Sequence, residues 1–335
     1  MIMKEKIRIG LIGAGWAAQK HLEVIQAMDG MEAVAVTSRT RARAEQLAGQ
    51  FHIRECFDDV ATLVQKAKPD ALMVLVNEDQ IFPVAAQAIP YGLPLFIEKP
   101  AGLTPQENLE LVRLAEQYSV RTMVGFNRRF YSVFHKGLEI IRQHGPLLGV
   151  FVEGHERMWR VREGKRFSAK IMEQWVYANS THLIDLFRFF GGEPKDIRAI
   201  AQSRFGETLG DQFAAIMELE SGAIGQYQAH WYSPGGWRVV LFGDRVTVEF
   251  KPLEQGRWTD KEFKTRDIQP EKEDTQFKAG FYNQMVAFRD LVRDKKSVWP
   301  LSDLQDSYKT MLLAQKFLLD VKIVEFDKSI AAKSS

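Results

Sequence analysis

One lysine in this sequence occupies a place where it could exchange a proton with a bound molecule. Lys99 follows Glu98 at the end of the short apolar run 95–97 and precedes Pro100. An ammonium group stabilises negative charge that develops on oxygen, and a neutral amine accepts a hydroxyl proton. Partial burial would lower the pKa of the lysine towards a range in which both forms are useful. The alternative is an ordinary exposed lysine in the turn before a proline.

A glycine-rich loop near the start of the chain offers a second chemical function. The apolar run 7–12 leads directly into the pattern G-x-G-x-x-A, and a helical pattern follows. In such loops the first glycine permits a tight turn, and the second lets backbone amides approach a pyrophosphate. Many folds share this loop, so the pattern alone is weak evidence. The predicted dinucleotide contacts are Gly13, Ala14, Gly15, Trp16 and Ala17.

The end of the next predicted strand, 32–37, bears on the choice of dinucleotide. NAD sites favour an acid here, because it accepts from the ribose 2′-hydroxyl, whereas a 2′-phosphate favours arginine and hydroxyl groups. This chain has no acid here and continues with Ser38 and Arg39. We expect Ser38, Arg39 and Arg43 to contact the adenosine ribose, with NADP(H) preferred. NAD(H) stays open, since this pair does not repel a bare ribose, and the arginines could simply open a helix.

These residues need a framework, and the first 125 residues alternate between strand and helix patterns. Short apolar strands separated by amphipathic helices predict an α/β fold with a doubly wound parallel sheet, whose ligands lie beyond the carboxyl ends of its strands. Gly13, Ser38, Asn77 and Lys99 each fall at such an end. We therefore predict a dinucleotide-binding Rossmann domain over residues 1–125.

The pattern changes after residue 131. Consecutive strand patterns joined by hairpin-like turns, with a few helices, predict a C-terminal α+β domain over residues 126–335 with an open antiparallel sheet. This domain is expected to bind substrate and to form subunit contacts. In the strand pattern after residue 222, Ile224, Tyr227 and Trp231 predict a sheet face between subunits. We expect a homodimer or a homotetramer.

Composition excludes several classes of protein. The 335 residues are 45% hydrophobic, which suffices for two cores. A formal net charge of +2 does not favour nucleic acid as a partner. The single cysteine, Cys56, excludes an intrachain disulfide framework and suits a reducing compartment. Without a signal-peptide core or an apolar run near about 18 residues, we expect a cytoplasmic protein with no membrane partner.

Four segments carry a family resemblance. LIGAGWAA, FIEKPAGL, VGFNRRF and THLIDLFRFFGG occur in this order along the chain. Together they resemble the glucose–fructose oxidoreductase, inositol dehydrogenase and rhizopine catabolism family (Gfo/Idh/MocA), with E-K-P as the specific part. The resemblance covers nearly the whole chain and implies NAD(P)-dependent oxidation or reduction of a sugar or polyol carbon. Further expected cofactor contacts are Asn77, Glu98, Lys99 and Asn127.

A histidine and an aspartate three residues apart, His182 and Asp185, would share one helix face. The family pattern is D-x-G-x-H-x-x-D, and Ala178 and Ser180 here replace its acid and its glycine. The resemblance therefore implies Lys99 and His182 as catalytic residues, without the acid that would tune the histidine. Alternatively, His182 is a helix histidine satisfied by its neighbours. No metal site is predicted, because no further ligands come at metal spacing.

The substrate is less well defined. The segment 157–170 carries six basic residues and one acid, and such a segment could hold a phosphate, a carboxylate or a nucleotide-sugar diphosphate. It could equally be a solvated loop or a subunit contact. We expect a small carbohydrate substrate, with an anionic group as one candidate feature. The expected substrate contacts are Lys99, Arg128, Trp159, Asn179, His182 and Asp185.

Two classes of function remain after these arguments. The first is an NAD(P)-dependent oxidoreductase that transfers a hydride to or from a secondary alcohol or ketone carbon of a sugar, sugar acid or nucleotide sugar. The second is a non-catalytic, dinucleotide-sensing regulatory protein on the same scaffold. Retention of Lys99 and His182 favours the enzyme, whereas Ala178 keeps the second class open.

Overall fold

A computed structural model describes residues 6–294, 299–319 and 321–323. The chain divides into two compact units, unit 1 within Met1–His135 and Gln269–Met311 and unit 2 within Lys136–Ile268 and Leu312–Ser335. Unit 1 thus takes in a late segment of the chain, and the domain bounds at residues 125 and 126 stay a prediction. Over the residues described, no helix has the length and apolar character needed to span a membrane.

The regular elements are numbered in chain order. The β-strands are β1 (Ile7–Ile12), β2 (Met31–Thr37), β3 (Glu55–Phe57), β4 (Ala71–Val74), β5 (Leu95–Ile97), β6 (Thr122–Val124), β7 (Leu147–Gly154), β8 (Pro194–Ser203), β9 (Gln212–Leu219), β10 (Ile224–His230), β11 (Trp237–Gly243), β12 (Val246–Phe250), β13 (Gly256–Thr259), β14 (Thr265–Ile268) and β15 (Lys322–Ile323). The α-helices are α1 (Trp16–Ala27), α2 (Arg41–Phe51), α3 (Val60–Ala67), α4 (Glu78–Ala88), α5 (Pro105–Gln117), α6 (Ser132–His144), α7 (Met158–Glu163), α8 (Ala169–Glu173), α9 (Thr181–Gly191), α10 (Lys272–Gln276), α11 (Phe281–Val292) and α12 (Leu304–Lys316).

Unit 1 is built on a six-stranded parallel sheet in the order β3-β2-β1-β4-β5-β6. Its central strands are mostly apolar, and a hydrophobic cluster packs on each face of the sheet. The chain order reverses at β1, which pairs with β2 on one side and with β4 on the other. In this topology ligands bind outside the carboxyl ends of the strands at the reversal. The predicted doubly wound α/β fold is confirmed.

Unit 2 contains a nine-stranded sheet in the order β14-β13-β12-β11-β7-β10-β9-β8-β15. Its neighbouring strands pair antiparallel, except for the parallel pairs β7–β10 and β8–β15. The helix α9 is buried along its whole length and packs on one face of the sheet. There Phe187 meets the ring of Tyr227 at a centroid distance of 6.4 Å. The α+β domain with a mostly antiparallel sheet is therefore also confirmed.

The side chains of β10 alternate between the two faces of this sheet. Tyr227 is 3% exposed, whereas Ile224 is 52% exposed. The predicted common face of Ile224, Tyr227 and Trp231 is wrong, because an odd separation along a strand puts two side chains on opposite faces, and Trp231 is also buried. The register places other exposed apolar side chains on the face of Ile224. They are Ile200, Ile216 and Phe242.

Candidate functional site

The glycine loop connects β1 to α1 within unit 1. Gly13 has a φ of +118°, and a Cβ there would overlap the carbonyl oxygen of Leu75, so only glycine fits. Its backbone N–H donates to the carbonyl of Thr37 at 2.8 Å, which ties the loop to β2. Gly15 is the N-cap of α1, and a Cβ there would have nothing within 4 Å among the residues described. The backbone amides at the start of α1 are therefore accessible to an anion.

A cavity of about 290 Å³ opens at this loop. It lies beside the ends of β1, β2 and β4, as expected for a ligand crevice at the reversal of strand order. Seven of the predicted cofactor contacts line it together. They are Gly13, Ala14, Gly15, Ser38, Arg39, Arg43 and Asn77. Trp16, Ala17, Glu98, Lys99 and Asn127 are not part of this lining.

Three arginines near the end of β2 differ in their partners. Arg41 donates to Glu45 at 2.8 Å and to Asp58 at 2.6 Å, and the two acids raise the pKa of its guanidinium. In the described part of the chain, Arg39 and Arg43 have no ion-pair partner, and both line the cavity. The two charges that face the cavity are thus available to a ligand anion, while that of Arg41 is already neutralised.

Trp16 is the first residue of α1 and is 55% exposed, with its ring in an edge contact with Phe281 at 6.4 Å. Asn127 lies in a 3₁₀ turn, Asn127–Phe130, and is buried. Its amide donates to the carbonyl of Ala279 at 3.0 Å. The Asn127 side chain therefore ties its own turn to the turn that precedes α11, both within unit 1.

Lys99 follows the carboxyl end of β5 and is 9% exposed, which contradicts the alternative of an exposed lysine in a turn. The peptide bond between Lys99 and Pro100 is cis. The backbone N–H of Lys99 donates to Oε2 of Glu98 at 3.1 Å, and the N–H of Glu98 donates to the carbonyl of Val74 at 3.0 Å on β4. Two neighbouring strands thus fix the backbone that carries the lysine.

The other oxygen of Glu98 binds a residue that sequence reasoning missed. Oε1 of Glu98 lies 2.9 Å from Nε2 of His21, whose side chain is fully buried. The ring of His21 packs between Phe96 and Phe281, at centroid distances of 4.9 and 4.6 Å. The available signal was its place on α1, three residues after the small Ala18 and on the same buried face.

In unit 2, His182 lies in the first turn of α9. It is 8% exposed, and its ring is 6.1 Å from that of Trp237. Asp185, one turn later, is 1% exposed and lies 3.7 Å from Nη1 of Arg188. Arg188 also binds Glu193 through two nitrogens, at 3.0 and 2.7 Å. Asp185 is thus part of an ion-pair network on α9.

A π-helical turn, Val176–Ser180, immediately precedes α9. Both of its last residues bind a second carboxylate that the sequence analysis missed. The amide of Asn179 donates to Oε2 of Glu156 at 2.6 Å, and the hydroxyl of Ser180 donates to Oε1 at 2.9 Å. Ala178, at the place of the family acid, is 3% exposed. No pattern of spacing pointed to Glu156, since it lies 23 residues before Asn179.

The basic segment 157–170 is only partly available to a ligand. Arg162 donates to the buried Glu207 at 2.8 Å and to the hydroxyl of Tyr232 at 3.1 Å. Burial and the negative Glu207 raise the pKa of Tyr232 to about 12. Trp159 is half-buried on α7. Arg162 therefore belongs to the packing of unit 2.

In the described ranges, no group of three or more histidine, cysteine, aspartate or glutamate side chains could hold a metal ion. The donor set present suits a dinucleotide instead. Uncapped helix amides and two arginines without ion-pair partners line one cavity, and these groups fit phosphates.

Comparisons with known proteins agree with this geometry. Residues 7–126 match the model of the oxidoreductase family with an NAD-binding Rossmann fold, and residues 150–249 match the GFO/IDH/MocA C-terminal domain. Inositol 2-dehydrogenase of Corynebacterium glutamicum is 25% identical over 78% of this chain and 79% of its own length. The scyllo-inositol 2-dehydrogenase (NAD(+)) of Bacillus subtilis is 23% identical over 88% and 89%.

Among solved structures, an oxidoreductase from Thermotoga maritima superposes with a TM-score of 0.79 at 21% identity, covering 94% of this chain and 96% of that one. Likeness at this identity shows the fold alone. The two family models, by contrast, together match more than half of the chain and follow each other in the order of its two sheets. The chain therefore belongs to the Gfo/Idh/MocA family of oxidoreductases, with an NAD-binding Rossmann fold in its N-terminal part.

Proposed function

We propose that this protein is a dehydrogenase that transfers a hydride between a nicotinamide dinucleotide and a secondary alcohol or ketone carbon of a carbohydrate. The observation that carries the proposal is the buried Lys99 at the carboxyl end of β5, in the same parallel sheet whose reversal holds the cavity. The names of its inositol dehydrogenase relatives support the substrate class. A sugar, a sugar acid or a nucleotide sugar would satisfy it.

The dinucleotide is proposed to bind along the cavity in unit 1. The backbone amides of Gly13 to Gly15 would hold the pyrophosphate at the start of α1. Ser38, Arg39 and Arg43 would hold the adenosine ribose and its 2′-phosphate, which makes NADP(H) the preferred cofactor. When bound, the nicotinamide supplies or accepts the hydride. The rest of the dinucleotide has further predicted contacts. They are Trp16, Ala17, Asn77, Glu98, Lys99 and Asn127.

Lys99 is proposed as the principal proton-transfer group. In the direction of oxidation its neutral Nζ accepts the proton of the substrate hydroxyl while the carbon–oxygen double bond forms. In the direction of reduction its ammonium stabilises the developing alkoxide and returns the proton. Glu98 holds the backbone N–H of Lys99 at 3.1 Å and so fixes where the side chain starts.

His182 is proposed as the second catalytic residue, which shares or relays the same proton. Histidine is the side chain whose ordinary pKa allows both acid and base roles near neutral pH, which suits this role. Arg128, Trp159, Asn179 and Asp185 stay predicted substrate contacts. Of these, Asp185 is engaged by Arg188, which favours a role in shaping the helix.

A homo-oligomer is proposed to form through the exposed face of the unit 2 sheet. Ile200, Ile216, Ile224 and Phe242 are between 42% and 61% exposed on that face. Contiguous exposed apolar side chains of this kind mark interaction surfaces, and closed dimers are the commonest assembly. A second copy of the same face would bury them.

The decisive experiment is to measure formation or consumption of NAD(P)H with a panel of polyols, sugar acids and nucleotide sugars. Mass spectrometry of ligands that co-purify with the protein would guide the choice of panel. We expect turnover with at least one secondary alcohol or ketone of this class. Tight dinucleotide binding without turnover on any member, including co-purified ligands, would favour the regulatory, dinucleotide-sensing alternative.

A further inference from the structure

A fully buried histidine in unit 1 has no part in the proposed chemistry so far. His21 is 0% exposed and lies in the second turn of α1, the helix that starts at the glycine loop. Burying a polar ring costs free energy unless the ring is hydrogen-bonded. Its hydrogen-bond partner therefore indicates what the histidine does there, and that partner is Glu98, the neighbour of Lys99 in the chain.

The hydrogen atoms of this pair can be assigned from the contacts of each ring nitrogen. Nε2 of His21 lies 2.9 Å from Oε1 of Glu98, and an ionised carboxylate only accepts, so Nε2 is the donor. Among the residues described, Nδ1 is buried without a hydrogen-bond partner. A second hydrogen, at Nδ1, would therefore be an unsatisfied buried donor. The geometry favours a neutral imidazole with its one hydrogen on Nε2.

The carboxylate of Glu98 is held at both of its oxygens. Oε1 accepts from His21, and Oε2 accepts from the backbone N–H of Lys99 at 3.1 Å. The carboxylate also has little room to turn, because a Cβ added at Gly125, directly after β6, would lie 3.1 Å from Oε2. Loss of the hydrogen bond from His21 would free Oε1 and, because the two oxygens turn together, would loosen the contact of Oε2 with Lys99.

Aromatic packing fixes the position of the donor. The ring of His21 lies 4.9 Å from that of Phe96 on β5 and 4.6 Å from that of Phe281 at the start of α11. Phe281 also meets the ring of Trp16, the first residue of α1, at 6.4 Å. The ring that donates to the acid of the E-K-P motif thus also packs α1 against the strand that precedes this motif.

We propose that His21 is a positioning residue for Lys99 that acts through Glu98. It turns the carboxylate so that Oε2 meets the backbone N–H of Lys99, and it ties the lysine to α1. The amides at the start of α1 are proposed to hold the pyrophosphate, so one helix orients both the dinucleotide and the proton-transfer group. The catalytic part of the proposal rests on the proposed dehydrogenase function, whereas the placement of the Lys99 backbone does not.

Two substitutions separate the hydrogen bond from the packing of the ring. His21→Phe keeps an aromatic ring in place and removes the donor, whereas His21→Gln loses the ring and keeps a donor. Leu22→Ala is the matched control for a loss of stability, because Leu22 is fully buried on α1 but lines a different cavity, beside the first residues of β2. If His21→Phe does not fold, His21→Leu, which is smaller and also lacks a donor, takes its place.

The first readout is hydrogen exchange of the Lys99 amide in the full-length protein, followed by NMR. In His21→Phe the bond from this amide to Oε2 should open more often, so exchange should be about 3- to 10-fold faster, the equivalent of one hydrogen bond. In His21→Gln and in Leu22→Ala the exchange rate should stay close to that of the wild type. Unchanged exchange in His21→Phe, or an equal acceleration in Leu22→Ala, would overturn the proposal.

Steady-state kinetics provide the second readout. In His21→Phe, kcat should fall about 10-fold, because a small displacement of a reacting group is costly, while the affinity for the dinucleotide stays unchanged. His21→Gln should keep a kcat near that of the wild type. An unchanged kcat in His21→Phe, or an equal loss in His21→Gln, would refute the catalytic role of the hydrogen bond.

The two readouts also separate this proposal from the proposed function. If the exchange pattern appears in a protein that turns over no substrate, the dehydrogenase is refuted and the positioning of Lys99 by His21 stands. Turnover in a protein without the exchange pattern would refute the positioning role and leave the dehydrogenase intact.

Discussion

In each of the two units, a largely buried carboxylate is hydrogen-bonded to residues at or close in the chain to a proposed catalytic residue, and the two arrangements differ. In unit 1, Glu98 is adjacent to Lys99 in the chain and is bound by His21 at 2.9 Å. In unit 2, Glu156 is 23 and 24 residues from its partners Asn179 and Ser180. The first arrangement is a compact sequence motif, whereas the second exists only after the strand and the helix have packed.

This difference explains why the carboxylate of unit 1 could be predicted from the sequence and that of unit 2 could not. A strand that ends in E-K-P carries its acid and its lysine together, so a reader of the sequence sees both. The acid of unit 2 was sought at residue 178, where the chain has alanine, and the sequence alone suggested a weakened site. In the structure, the carboxylate that binds the turn before α9 comes from the segment after β7.

The largest expected effect tests whether the chemistry is centred on unit 1. Lys99→Met should reduce kcat on the order of 10²–10⁴-fold, because it removes the proposed proton acceptor and the positive charge near the alkoxide. Dinucleotide binding should persist, since the pyrophosphate and the adenosine ribose are proposed to be held by the cavity lining, which does not include Lys99. Lys66→Met on the exposed side of α3 is the control and should leave kcat unchanged.

His182→Ala, measured in the same assay, should reduce kcat less than Lys99→Met does. If His182→Ala matched or exceeded the loss, the comparison would reverse and unit 2 would carry the principal proton-transfer group. Near wild-type turnover of Lys99→Met with cofactor still bound would show that this assignment of the site is wrong.

The next largest effect is on cofactor binding, and it compares an arginine that is available to a ligand phosphate with one that is already engaged by acids. Arg39→Ala should weaken NADPH binding about 10- to 100-fold, the equivalent of one charge-assisted hydrogen bond of about 1.5–3 kcal/mol. The affinity for NADH should change little, because NADH lacks the 2′-phosphate. Arg41→Ala is the matched control, since Glu45 and Asp58 already engage Arg41. Titration by tryptophan fluorescence measures both affinities. Tighter binding of NADH than of NADPH to the wild type would refute the cofactor preference.

The sequence predicted the parts of the fold that depend on local pattern. The apolar strands of unit 1 and their helices were found, because each element has its own periodicity and its own start signals. Thr104, for example, caps α5 by accepting from the N–H of Glu107 at 3.1 Å, and a threonine directly before a proline is a typical start signal of a helix. The short strands β3, β13 and β14 were missed, since a run of three or four residues is too short to show a periodicity.

The sites were predicted less completely because their partners come from distant segments. The sequence analysis did not consider His21, although it did consider Glu98, which His21 contacts. No motif or residue spacing in the sequence pointed to Glu156. The prediction that Ile224 and Tyr227 share a face was wrong for a simpler reason, because side chains alternate between the two faces of a strand with a period of two residues. Local chemistry is thus visible in a sequence, whereas the groups that orient it become visible only with the packing.

A stability comparison between the two acids follows from their partners. His21→Leu leaves the buried Oε1 of Glu98 without its donor, so we expect a loss of about 1–3 kcal/mol in the free energy of unfolding by urea. His21→Gln keeps a donor and should lose less. Ser180→Ala should cost only about 0.5–1.5 kcal/mol, because Glu156 keeps Asn179. Equal losses for His21→Leu and His21→Gln would mean that ring packing, and not the bond to Glu98, stabilises this corner of unit 1.

The smallest expected change is a factor of two to four in the mass of the protein in solution. It tests whether the exposed face of the unit 2 sheet holds an oligomer together. Hydrophobic clusters pack on both faces of the unit 1 sheet, whereas the face of unit 2 opposite α9 exposes Ile216 and Ile224 by 50% and 52%. Ile216→Glu would place a charge inside a proposed apolar interface and should therefore split the oligomer. Ala61→Glu, at an exposed position of α3 in unit 1, is the control and should leave the mass unchanged. Light scattering of the wild type as a single 38.4 kDa species at micromolar concentration would refute the proposed interface.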